Sequence, residues 1–152
     1  CVYEPTGEDN QLFDLEYQGT QYFVIVSQMN GKVIDVKDSD ASAGAKLIMY
    51  DRTDEDNQQF YQDKNSFIRS KLNDFLFESA KGLGAKGKQI KLEPQSKKDQ
   101  QEWLPWRDRI VNLNNHTKDV IEIKKSGDAN GTEVVWDHFD NGPNQKWQIE
   151  YL

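Results

Sequence analysis

Cysteine is almost absent from this chain: the only one is Cys1, at the very start. An internal disulfide is therefore impossible, and one terminal thiol cannot join a cysteine-containing metal site. Long apolar runs are missing too, so no segment reads as a membrane-spanning helix. Histidine is confined to His116 and His138. No GxSxG or HExxH pattern occurs, and the sequence offers no catalytic constellation, so the chain reads as a non-enzyme. Net positive charge is lacking as well: the chain carries -7. An acidic domain repels phosphate backbones, which disfavours nucleic acid as a partner.

What is present suits a folded domain. The 152 residues suggest one unit, able to bury roughly 70% of the surface its unfolded chain exposes. Only 36% of residues are hydrophobic, but four Trp, six Tyr and seven Phe argue against disorder. The start at Cys rather than Met points to processing or to a longer parent chain. Asn115-His116-Thr117 and Asn130-Gly131-Thr132 are glycosylation sequons. They favour a secretory route only mildly, and both secreted and cytosolic locations stay open.

The chain also repeats itself three times. Asn57-Gln58-Gln59-Phe60, Gln100-Gln101-Glu102-Trp103 and Asn144-Gln145-Lys146-Trp147 share an amide pair, a variable residue and an aromatic. The aromatics lie 43 and then 44 residues apart. Each follows, by 25 positions, an acid in an apolar setting: Asp35, Glu78 and Glu122. Nine residues after each acid comes a glycine: Gly44, Gly87 and Gly131. Repeats of this length dictate the architecture.

Each repeat reads as four short strands separated by turns, with no convincing helix. Phe23–Val26, Phe67–Arg69 and Ile110–Leu113 open the repeats, and Asn30-Gly31, Asn73-Asp74 and Asn114-Asn115 turn the chain. After each glycine the alternation directs Leu47 and Met49, Ile90 and Leu92, and Val134 and Trp136 to one side. Twelve strands in three copies that cannot bury a face alone imply closure with threefold pseudosymmetry. Three blades are too few for a propeller, so the expected fold is an all-β β-trefoil. Residues 1–21 fall outside the repeat as an N-terminal extension, with alternation at Phe13, Leu15 and Tyr17 suggesting one strand. The trefoil occupies 22–152, in repeats of about 22–65, 66–108 and 109–152. Phe60, Trp103 and Trp147 are expected in the core, with the Gln of each motif bonded to backbone or to the acid of its own repeat.

One match is misleading. Gly82-Leu83-Gly84-Ala85-Lys86-Gly87-Lys88 fits both GxGxxG and GxxxxGK. Gln89 stands where a magnesium-binding Ser or Thr belongs, and no long helix follows, so the segment reads as a turn.

On these three in-register copies, from Tyr22 to Leu152, the chain resembles the ricin B-chain type β-trefoil lectins marked by the Gln-x-Trp motif. The resemblance implies shallow sugar sites, one per lobe, often for galactose or N-acetylgalactosamine. It assigns hydroxyl recognition to the acid, stacking on the pyranose face to an aromatic fifteen residues later, and further hydrogen bonds to an amide beside the motif. The chemistry fits the task. A carboxylate accepts paired hydroxyls through strong charge-assisted bonds, an amide both donates and accepts, and a ring covers the apolar C–H face.

Carried over position by position, the first lobe fills every role, with Asp35, Tyr50, Asn57 and Gln58. The third has Glu122, Asp137 and Asn144, with His138 beside its stacking position. The second has Glu78, Glu93 and Gln100, without an aromatic, and is read as non-binding. Phe60 replaces the family Trp, and the disulfides common in family lobes are missing. The expected partners are glycans of glycoproteins or glycolipids, with no cofactor or metal. A homodimer or a larger parent chain would supply avidity. The competing readings are a β-trefoil interaction module with degenerate sugar sites and the targeting module of a larger toxin or glycosidase.

Overall fold

In the computed structural model, residues 20–80, 85–115 and 118–152 are described. The strand expected around Phe13, Leu15 and Tyr17, the Gly82-Leu83-Gly84 part of the Gly82–Lys88 segment and the His116-Thr117 part of one sequon lie outside them.

The described residues form twelve strands. They are β1 (Phe23–Ser27), β2 (Val33–Val36), β3 (Ala45–Tyr50), β4 (Phe60–Gln62), β5 (Ile68–Ser70) and β6 (Leu76–Glu78). Then come β7 (Lys91–Glu93), β8 (Trp103–Trp106), β9 (Arg109–Asn112), β10 (Asp119–Ile123), β11 (Val134–His138) and β12 (Trp147–Tyr151). No α-helix occurs among these residues, only six three-residue 3-10 turns. Strands four at a time thus follow the repeat, with small shifts at their ends. Leu113, for instance, leaves the strand expected for it, sits in a 3-10 turn and is exposed.

All pairings are antiparallel. β12, β1, β4 and β5 join in sequence, as do β8 and β9, forming the barrel wall. The hairpins β2–β3, β6–β7 and β10–β11 cap one end. Single bridges Ile48↔Glu133 and Gln89↔Val135 tie the caps together, alongside β3–β7 pairing. The three marker glycines hold φ of +86°, +84° and +90°, a region that side chains rarely tolerate, at the hairpin turns. Their N–H groups reach across to the next lobe: Gly44 to Leu92 O, Gly87 to Trp136 O, and Gly131 to Met49 O.

The core lies where the three lobes meet. Phe60, Trp103 and Trp147 are all at most 2% exposed, and Phe60 meets Phe77 edge to face at 5.2 Å. Phe60 therefore does the packing work of the family Trp. Met49 and Leu92 are fully buried on the inward parity, but Trp136 is only partly so. An indole is larger than the side chains at the matching positions, and part of it extends to the lobe margin, edge-on to His138.

Candidate functional site

The cap hairpins carry the acids in one register. Asp35 faces Ile48, Glu78 faces Lys91 and Glu122 faces Val135. Two residues earlier on each first strand, Val33 faces Tyr50, Leu76 faces Glu93 and Val120 faces Asp137. Each acid and its stacking-position partner are thus diagonal neighbours on adjacent strands, usually about 7–8 Å apart. The alignment drawn from sequence holds in space for all three lobes.

The motif glutamine clamps each acid. Gln58 Nε2 donates to Asp35 Oδ2 at 2.9 Å, Gln101 Nε2 to Glu78 Oε1 at 2.8 Å, and Gln145 Nε2 to Glu122 Oε1 at 2.8 Å. The same amides also donate to the backbone oxygens of Asp51, Pro94 and His138. Their Oε1 atoms accept from loop N–H groups at Thr53, Ser96 and Asp140. Gln58 and Gln145 are fully buried and Gln101 nearly so. A buried amide must be satisfied, and here satisfying it fixes both the acid and the loop before the motif.

Around that shared clamp the lobes diverge. In the first, Asn57 Nδ2 also donates to Asp35 Oδ2 at 3.2 Å and to Val36 O at 3.2 Å. Both amides converge on one carboxylate oxygen, and Oδ1 takes neither. Tyr50 is 42% exposed beside it. Burial pushes the Asp35 carboxyl above the ordinary carboxylate range, against the pull of the Gln58 and Asn57 amides; Asp38 and Glu55 add to the rise. Neither Asp38 nor Glu55 stands out in sequence, because their influence depends on loops folding back toward the acid.

In the third lobe Asn144 Nδ2 donates to Ile123 O rather than to the acid. Burial raises the Glu122 carboxyl, Gln145 opposes the rise, and Asp137 and Asp140 add to it by repulsion. His138 points its Nδ1 to Asp119 Oδ1 at 2.8 Å rather than to Glu122. The matching pair in the first lobe is Lys32 and Asp51, joined at 2.7 Å. The same two positions thus hold a nitrogen-bearing side chain and a carboxylate in opposite order. Asp119 was legible only through this offset. Asn130, of the second sequon, donates to Asp51 Oδ2 and accepts from Lys32 Nζ, both at 3.1 Å.

In the second lobe Glu78 is half-buried and its Oε2 lies 3.6 Å from Lys98 Nζ. The clamp survives there without a ring. No group of three or more His, Cys, Asp or Glu among the described residues is placed to hold a metal ion.

The architecture and the threefold clamp have a family behind them. Residues 21–147 match the model of the ricin-type beta-trefoil lectin domain. The chain belongs to this family. Its members bind carbohydrate. Among solved structures, the C-half of the earthworm R-type lectin in complex with GalNAc is 31% identical, with 87% of this chain and 99% of that one covered and a TM-score of 0.80. A mutant of the earthworm lectin C-terminal domain in complex with 6'-sialyllactose is 29% identical, covering 87% and 99%, with a TM-score of 0.77. The designed three-fold symmetric protein ThreeFoil, at 22% identity, covers 86% and 99% with a TM-score of 0.76, which speaks for the fold alone. No curated protein is similar enough in sequence to match. No helix among the described residues is long and apolar enough to cross a membrane.

Proposed function

We propose that this lectin domain binds terminal galactose-type or N-acetylgalactosamine-type sugars, without catalysis, through its first lobe. The observation that carries the reading is the Asp35 carboxylate, held by Gln58 and Asn57 on one oxygen beside an exposed Tyr50. Oδ1 then serves as acceptor for a sugar hydroxyl, Asn57 supplies a second polar contact, and Tyr50 covers the C–H face. Gln58 is fully buried, so its part is to position Asp35. The earthworm relative with GalNAc supports the sugar class.

The third lobe is the second candidate, with Glu122 and Asn144 at the matching sequence positions, though Asn144 bonds Ile123 O and not the acid, and Asp137 and His138 at the stacking edge. Asp137 repels Glu122 and offers no ring, so this lobe ranks below the first. A single shallow site of this kind binds in the millimolar range, about -4 kcal/mol. Strong attachment then needs several sites, through a second working lobe, a dimer or a larger parent chain.

A glycan array followed by calorimetry tests this. The expected outcome is binding of galactose-terminated glycans that Asp35→Ala removes. Failure of every such glycan at millimolar concentration would transfer the domain to the protein-interaction reading.

A further inference from the structure

The second lobe lacks a ring but not a cavity. A pocket of about 470 Å³ opens on its cap hairpin, bordered by strands of the neighbouring lobes. That volume lies in the range of small-molecule sites. Three substitutions relative to the sister lobes shape it. Ser79 stands where Val36 and Ile123 are fully buried. Lys91 stands where Ile48 and Val135 are buried, and Lys88 where Ala45 is buried. Two of these exchanges bring in cations, Lys91 for an apolar residue of both sister lobes and Lys88 for Ala45 of the first and Thr132 of the third; Lys46 of the first lobe adds another to the lining.

Those cations are not spent on internal pairs. Lys46 and Lys91 lie directly opposite each other on β3 and β7, an arrangement that like charges destabilise. Among the described residues, neither they nor Lys88 has a carboxylate within ion-pair distance, whereas two pocket glutamates are already engaged, Glu78 with Lys98 and Glu133 with Lys124. Glu93, at the position of Tyr50, is the remaining carboxylate of the lining. A purely solvated face would need neither the cavity nor a lining with four lysines, of which only Lys124 is in an ion pair among the described residues, in a chain of net charge -7.

We infer that this pocket binds the anionic group of an acidic saccharide, a carboxylate or sulfate ester, through Lys46, Lys88 and Lys91. Glu93 and Ser79 are left to meet its hydroxyls. The saccharide part rests on the carbohydrate-binding reading; the anion part rests on the pocket alone.

An NMR titration of the whole chain with galactose, galacturonate, galactose 6-sulfate and inorganic sulfate tests it. The acidic sugars should shift the amides of Lys46, Lys88 and Lys91, at least tenfold more tightly than galactose does there, and less so at high salt. The Lys46→Gln/Lys91→Gln variant, changed only at exposed side chains, should weaken this at least tenfold and leave galactose shifts at Tyr50 unaltered. Absence of those shifts, or their survival in the variant, overturns the inference. So does inorganic sulfate binding as tightly as the acidic sugars, which would leave a bare anion pocket. Acidic-sugar shifts at Lys91 without galactose shifts at Tyr50 would sink the first-lobe reading and uphold this one.

Discussion

The first and second lobes share a skeleton and differ in what they put on it. In both, a buried glutamine holds an acid at 2.8–2.9 Å and anchors the loop that follows the hairpin. In the first, the acid is 5% exposed, doubly held by amides and flanked by an exposed tyrosine. In the second, the acid is half-buried, 3.6 Å from Lys98, and shares a pocket lining with Glu93, Lys46, Lys88 and Lys91. The motif that defines the family is therefore a folding device. On the binding reading proposed above, the chemistry of a lobe would be set by the residues at the Tyr50 and Ile48 positions, which differ between the lobes while the clamp does not.

The largest effects should not distinguish the lobes. Phe60→Ala and Trp103→Ala remove equally buried rings, and each should cost about 3–5 kcal/mol, read by denaturant unfolding. A loss below about 1 kcal/mol in one of them would break the equivalence of the two skeletons.

Binding should separate them. Asp35→Ala or Tyr50→Ala should weaken neutral galactose binding more than tenfold in calorimetry with the fold retained. For Asp35 the loss is of charge-assisted hydrogen bonds worth roughly 1.5–3 kcal/mol each. Glu78→Ala should leave that binding within about twofold. The reverse pattern would invert the ranking of the lobes.

Acidity sharpens the contrast further. The folded pKa of Asp35 lies above its ordinary value, because burial outweighs the amides. Such a carboxyl destabilises the ionised fold: its contribution worsens as pH rises from the unfolded pKa through the folded one, and protonation relieves it. Falling pH also removes the acceptor. Neutral-sugar binding should therefore fade at a pH above that at which an ordinary aspartate protonates, while the fold itself gains from the protonation of Asp35. Binding that persists down to the ordinary range would mean that Asp35 is not the acceptor. The smallest expected effect is none: EDTA should leave binding unchanged. Loss on chelation and recovery with calcium would point to another kind of lectin.

Much of this was readable in the sequence because it is periodic. The 25-residue spacing from acid to aromatic reports the path from cap hairpin to barrel, and the twelve strands and the three core aromatics follow from it. The acid–glutamine pairing was legible for the same reason. Depth was not: alternation put Trp136 on the inward side but carries no information on whether an indole fits there. Contacts between lobes were also hidden. The second-lobe pocket draws Lys46 from one neighbour and Lys124 and Glu133 from the other. No local pattern around Glu78 announces them. His138, read as an edge of the third sugar position, is also paired with Asp119, a contact that becomes visible only beside the Lys32–Asp51 pair.

The most direct test of the central claim is a titration of the chain with N-acetylgalactosamine, followed by NMR residue by residue. The account predicts the largest shifts at Asp35, Tyr50 and Asn57, smaller ones around Glu122 and Asn144, and none around Glu78. Largest shifts around Glu78 and Gln100, or none anywhere at millimolar sugar, would contradict it.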